Sequence, residues 1–361
     1  MNLNFRENSG SSSRMLLLDL FRLFAASYVM FYHYCFSSNN SNDNTPLQFP
    51  DLSPIFQYGF MGVDFFFVIS GFVICMSAER GGIDKFISSR VLRLYPAYIV
   101  CVCLSAIFAV LFSVKDISVV QFLVNLTMLQ EFLGVSHIDG VYWTLSFELV
   151  FYFWIGVIII FKAMDRVEFL ILPFLVISFF SAFLAEPKIF KAAFISPWFH
   201  YFAAGIFFYR ARQYGFSGFR VLSILFCLVI SLARASELSV SMSDYHGVQF
   251  SFFAMAVHVL IIYFVMFLAS LGCFDSVSQQ WFRAAGALTF PLYLLHGVIG
   301  NVILAHFSES NRVLALFITV TIIMAMSYIV SRYLEPKIIG RIKPFVDRFV
   351  LAACALLPFS I

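Results

Sequence analysis

The sequence predicts an all-α polytopic membrane protein of about ten transmembrane helices, with both termini in the cytoplasm. Three observations carry this. Of the 361 residues, 61% are hydrophobic and 12% charged, against roughly 25% charged in a soluble domain. Apolar runs long enough, or nearly so, to cross a bilayer recur along the chain, about 20 residues being sufficient. With the N-terminus inside, 17 of the 23 Lys and Arg fall in cytoplasmic segments and five in outer ones, the usual positive-inside asymmetry. Arg22 lies within a span and completes the set. The net charge of +3 decides little by itself. The expected organisation is a cytoplasmic segment at 1–14, one transmembrane domain at 15–336 and a basic cytoplasmic tail at 337–361.

The first run, Leu16 to Phe36, is a full-length span without a small-residue cleavage site, so no cleavable signal peptide is expected. Ser37 to Pro54 is polar and free of Lys and Arg, which suits an outer loop. The second span runs from about Tyr58 to Ser77, and a charged turn with Arg80, Lys85, Arg90 and Arg93 follows. The third covers Tyr95 to Val114. Residues 115–139 are apolar with polar interruptions and predict a helix lying at the interface or re-entering the protein. Seven more spans are expected at Val141–Phe161, Phe169–Leu184, Pro197–Tyr209, Phe219–Ala233, Val248–Leu271, Ala284–His306 and Val313–Leu334. Lys337, Arg341, Lys343 and Arg348 make the tail basic, and its final apolar patch is too short to span. The seven Cys show no C-x-x-C spacing and read as small hydrophobes within helices.

Ionisable groups inside a membrane cost about 2.5–3.5 kcal/mol on insertion scales and usually face a polar cavity or a partner. The first span carries Asp19, Arg22 and His33. Arg22 and His33 are eleven residues apart, close to three whole turns, which puts both on one face and separates them by roughly 16 Å. The orientation sets Arg22 towards the cytoplasm and His33 near the outer end. Glu148, in VYWTLSFELVFY, is expected at a depth similar to His33, where the two could act as an acid–base pair. It could equally satisfy an arginine or backbone groups in a packed bundle. Arg90 and Arg93 form R-x-x-R on neighbouring helix positions at the cytoplasmic mouth. Two guanidiniums there suit phosphate oxygens, or serve as ordinary positive-inside anchors. Asp64 and Ser70 stand in the glycine-containing run GFMGVDFFFVISGFVI, and Tyr293 and His296 in FPLYLLH. Taken singly, each reads as a hydrogen-bonded interior residue. No spacing suggests a metal site, a P-loop, a G-x-S-x-G elbow or nucleic-acid binding.

Taken together, R-x10-H at Arg22 and His33, GVDFFFVISGFVI, RVLRLYP at Arg90 and Arg93, YWTLSFE (with Tyr142, Trp143, Ser146 and Glu148), FPLYLLH ending at His296, and LEP at Leu334–Pro336 resemble the acyltransferase-3 family of integral membrane acyltransferases. They stand in the family's order across nearly the whole chain. The resemblance implies a ten-helix domain that moves an acyl group, usually acetyl, from cytoplasmic acyl-CoA to an acceptor on the outer side. Such acceptors are commonly cell-envelope sugars or lipid-linked sugars. It implies His33 and Glu148 as catalytic residues and Arg22, Arg90 and Arg93 as donor-binding ones, without a metal, in a bacterial cytoplasmic membrane. Two departures stand out. Leu149 occupies a position where the family often has a second acid, and the chain ends without the fused hydrolase-like domain of some relatives, so a separate extracytoplasmic partner of that kind is an expectation. Direct transfer and an acyl-His intermediate both remain open. Intramembrane charges also suit a secondary transporter or a flippase for a lipid-linked sugar, and a noncatalytic role in an envelope assembly would not need His33.

Overall fold

Apolar segments in a bilayer must satisfy their own backbone, and a helix does so within one segment. The computed structural model of the chain describes residues 16–37, 47–181, 183–184, 187–275 and 280–356, and no strand occurs among them. Helix α1 (Leu16–Tyr32) ends in a π-turn, His33–Ser37. Helix α2 (Gly62–Ala78) follows a 3-10 turn, and α3 spans Ile83–Leu111. A second 3-10 turn, Gly140–Tyr142, leads into α4 (Trp143–Ile160). Then come α5 (Leu172–Ser181), α6 (Phe199–Tyr214), α7 (Gly218–His246) and α8 (Phe252–Ser270). Helices α9 (Gln280–Leu295) and α10 (Val298–Leu304) meet at a 70° bend. Helix α11 (Arg312–Ile329) continues through a π-turn into α12 (Glu335–Ala355).

Helix α1 lies between α2 and α9, α2 packs on α6, and α12 lies along α3. The α2–α6 crossing depends on glycine. A Cβ on Gly71 would stand 2.0 Å from the Phe202 carbonyl oxygen, and one on Gly205 would stand 2.0 Å from that of Val68. Only small residues let two backbones approach this closely. Phenylalanine fills the space around the crossing: Phe67 and Phe151 both pack on Phe202, with ring centroids 4.7 and 4.3 Å apart. Part of the large phenylalanine content is therefore interior packing.

Six described helices are long and apolar enough to cross a membrane, seven if the bent pair counts as one. The other three expected spans correspond to α1, α5 and α6, with 17, 10 and 16 residues. Ten residues rise about 15 Å, half the hydrocarbon thickness.

Several boundaries differ from the sequence expectation. Helix α3 begins at Ile83 rather than Tyr95, so most of the expected charged turn is helical, and Arg90 and Arg93 lie on neighbouring helix positions as expected. Their charge is tolerated because they face an internal cavity, described below. Helix α7 runs on to His246, carrying Arg234 and Glu237 as an i,i+3 ion pair. In 115–139 only Val119–Asn125 is helical. The rest folds back over it, because buried Asn125 accepts from the Ile138 N–H at 2.9 Å and donates to the Ser136 carbonyl at 3.0 Å. The segment expected as a tail is helical over most of its length. Half of the expected outer loop after the first span, 38–46, lies outside the described residues.

Candidate active site

An elongated cavity of about 480 Å³ opens between α1, α2, α3, α4 and α9. Its walls include Val63 and Arg80, seventeen residues apart at the two ends of α2, or about 25 Å by helix rise. Arg80, Arg90 and Arg93 line one end, with Arg22 deeper in, and Asp19 and Glu148 are the acids in the wall. Four guanidiniums against two carboxylates leave this cavity cationic. The opposite end is walled by Val63, Phe66, Thr144 and Tyr293.

Local structure explains how the arginines stay inside. Arg90 and Arg93 are three apart on α3, so they share a face. Arg90 donates to the Ser77 hydroxyl at 3.2 Å and stands 5.9 and 5.8 Å over the Phe86 and Tyr152 rings. Arg93 stands 6.0 Å over Phe290. Aromatic faces attract guanidinium and leave its N–H groups available to an anion. Arg22 pairs with Asp19 at 3.7 Å, and Asp19 itself fills the space beside Gly286 of α9.

Glu148 is held on the cavity wall. Its carboxylate accepts from the Tyr152 hydroxyl at 2.5 Å and from the Ser70 hydroxyl at 3.3 Å. The structure therefore sets it in the cavity wall with Arg22, and its side-chain partners are Ser70 and Tyr152 rather than His33.

His33 lies beyond the apolar end, outside the cavity lining. It opens the π-turn that terminates α1, a local geometry frequent at functional sites. Tyr293 connects the two places. On the cavity side its ring meets Phe66 edge-on at 5.8 Å, and its hydroxyl is pinned by Thr144 at 3.0 Å and the Val141 carbonyl at 3.2 Å. On the other side it lies 5.5 Å from the His296 ring, which lies 5.2 Å from His33. The order away from the cationic end of the cavity is thus arginines, Tyr293, His296, His33.

The bend between α9 and α10 creates that column. His296 and Gly297 occupy the break. Asp139, buried just before α4, accepts from the Val298 N–H at 2.7 Å and the Val141 N–H at 3.2 Å, tying the starts of α10 and α4 together. A Cβ on Gly297 would stand 2.1 Å from an Asp139 oxygen, so only glycine fits. Tyr34, next to His33, donates to the His296 carbonyl at 2.8 Å.

Arg22, Ser70, Arg90, Arg93, Glu148 and Tyr293 are thus brought together around the cavity, with His296 and His33 adjoining. The remaining candidates lie elsewhere. Asp64 bonds to Tyr201 of α6, Ser146 donates to the Met128 carbonyl, and Trp143 packs on Trp198 at 4.8 Å. Tyr142 is a buttress, its hydroxyl 3.1 Å from Ser105 and 3.3 Å from the Leu294 carbonyl. Sequence reasoning missed Arg80, Tyr152 and Asp139 as parts of the site. Tyr152 was findable, because it stands one helical turn after Glu148.

A family model described as an acyltransferase domain matches residues 16–332. The chain is also similar to Nodulation protein 10 of Rhizobium leguminosarum bv. viciae, 30% identical over 166 residues. That match covers 40% of this chain and 44% of the relative's length. No solved structure matches.

Proposed function

Because this chain belongs to the acyltransferase-3 family, and is a multi-pass membrane acyltransferase, we propose that it carries an acetyl group from cytoplasmic acetyl-CoA to a hydroxyl of an extracytoplasmic cell-envelope sugar. One observation carries the reading: the cavity is cationic at one end and abuts Tyr293, His296 and His33 at the other. Coenzyme A is an anionic head on a slim, largely uncharged arm. Arg80, Arg90 and Arg93 suit its phosphates, and the apolar walls of α2 suit the arm. Arg22, paired with Asp19, stands where it can contact either.

Transfer requires the acceptor oxygen to lose a proton and bond to the thioester carbon while the carbon–sulfur bond breaks and thiolate leaves. His33 is the group to take that proton, or to carry the acyl group first and pass it on. Glu148, fixed by Ser70 and Tyr152, faces the donor, so we assign it to holding Arg22 and the donor rather than to His33. The phenylalanine-rich bundle keeps water from the thioester.

The test uses purified protein in lipid nanodiscs with isotope-labelled acetyl-CoA and an envelope glycan fraction. Label appearing on glycan hydroxyls, lost in His33→Ala, supports the reading. Label that stays on acetyl-CoA with every glycan fraction, from a strain whose glycans keep their acetyl groups when the gene is deleted, overturns it.

A further inference from the structure

We propose that α12 is an interfacial helix that binds anionic phospholipid at the arginine end of the bundle. Phe345, Phe349 and Leu356 enter the boundary between headgroups and acyl chains, and Lys337, Arg341 and Arg348 hold the lipid phosphates. This binding is independent of the acyl-transfer chemistry.

The residues of α12 sort onto three faces. At about 3.6 residues per turn, Phe345, Phe349 and Leu356 fall within about 40° of one another. Lys337, Arg341 and Arg348 fill a second arc of about 40°, centred roughly 80° from the first. A third arc carries Ile339, Ile342, Val346, Val350 and Cys354, all buried or half-buried, and this face packs along α3. Asp347 adds a hydrogen bond to Ser88 of α3. The phenylalanine stripe has no such cover: Phe345, Phe349 and Leu356 are 71%, 65% and 86% exposed. Lys343 pairs with Asp347 at 2.5 Å, whereas Lys337, Arg341 and Arg348 are exposed and enter no ion pair among the described residues. An apolar stripe beside a basic one is the pattern of a helix lying in a headgroup layer.

The placement of α12 fits that layer. It has 21 residues, about 31 Å by helix rise, yet its two ends lie at nearly one level of the bundle. At its start, buried Glu335 is within electrostatic reach of Arg93. Arg93 is one turn from Arg90, which donates to Ser77 at the end of α2. Near the other end, Leu351 and Cys354 line a second cavity, about 960 Å³, together with Ala78 and Ile160, the last residues of α2 and α4. A helix continuing through the membrane would separate its ends by its full length. Helix α12 instead crosses the ends of the spans, in the plane of the interface. There the long stems of lysine and arginine cover apolar surface while their charges reach phosphate, and the arginine fork matches phosphate oxygens.

The test measures hydrogen exchange over 335–355 in the full chain, one copy per nanodisc, in phosphatidylcholine discs and in discs that also contain phosphatidylglycerol. Amides of α12 exchange when the helix lifts from its support or frays. Each basic group near an anionic surface favours the bound helix about fivefold, so three should slow exchange by roughly a hundredfold in the anionic discs, with α11 unchanged. Arg341→Gln should give back about fivefold of that difference. Lys343→Gln removes the same charge outside the stripe and should leave the difference intact. Replacing Lys337, Arg341 and Arg348 together with glutamine should abolish it while matching wild type in neutral discs; if that variant exchanges faster in neutral discs too, the two single variants decide. Equal exchange of the wild type in both kinds of disc, or Lys343→Gln losing as much as Arg341→Gln, overturns the proposal. So does protection that arises only in discs holding two copies, which would assign the phenylalanine stripe to a second copy of the chain.

Discussion

Replacing Arg90 and Arg93 together with alanine should weaken acetyl-CoA binding by about two to three orders of magnitude. The two guanidiniums share one face of α3 and line the cationic end of the cavity. A hydrogen bond to a charged group contributes about 1.5–3 kcal/mol, and every 1.4 kcal/mol is tenfold in affinity. Two lost contacts at the lower end of that range give about 3 kcal/mol, or roughly a hundredfold. The fold should survive, because each guanidinium rests on aromatic rings of the wall rather than in a buried ion pair of its own. Arg→Lys at both positions should recover only part of the affinity, since lysine is a point charge without the planar fork. The assay is equilibrium binding to nanodisc-embedded protein, using acetyl-CoA beside acetyl-pantetheine, which lacks the nucleotide phosphates. The double variant should lose affinity for the first and not the second, and added salt should narrow the gap by screening. Equal loss for both ligands would mean a collapsed cavity, and unchanged acetyl-CoA affinity would return these arginines to membrane anchoring. Either result refutes the reasoning.

His33→Ala should abolish acyl transfer per folded molecule, about 100- to 10,000-fold for a lost general base, while acetyl-CoA binding on the same sample stays near normal. Glu148→Gln keeps an acceptor oxygen for Ser70 and Tyr152 but removes the charge beside Arg22, so donor affinity should change more than the folded fraction does; titration calorimetry and thermal unfolding separate the two. Gly297→Ala drives a methyl into the Asp139 carboxylate, and thermal unfolding should show clear destabilisation. Adding Asp139→Ala removes that clash, so the double variant should be less unstable than the single losses summed. Topology is tested by impermeant thiol labelling of Gly134→Cys and Gly218→Cys in a background with exposed Cys273 replaced by serine. The charge asymmetry predicts opposite sides, and labelling from one side would end the present orientation.

The long apolar runs were legible in the sequence because a spanning helix is a local property: its length and composition alone meet the bilayer's demand. The R-x10-H spacing placed Arg22 on the first helix, but His33 falls in the π-turn that ends it. The start of the third span was placed too late, at Tyr95, because charge near a span reads as a turn, whereas the helix begins at Ile83 and carries Arg90 and Arg93 along an internal cavity. Whether a charged face meets water, lipid or an internal pocket depends on which helices pack against it, and that is a property of the assembled bundle. Glu148 shows the same limit. Its depth along α4 suggested His33 as partner, but its actual partners, Ser70 of α2 and Tyr152 one turn on, followed from the rotation of α4 about its axis. The break at His296 and Gly297 is held by Asp139, some 158 residues earlier in the chain. Chemistry-bearing residue types can be picked out one at a time along a chain, but the column of Tyr293, His296 and His33 exists only once that clamp has closed, because it joins segments that no local spacing relates.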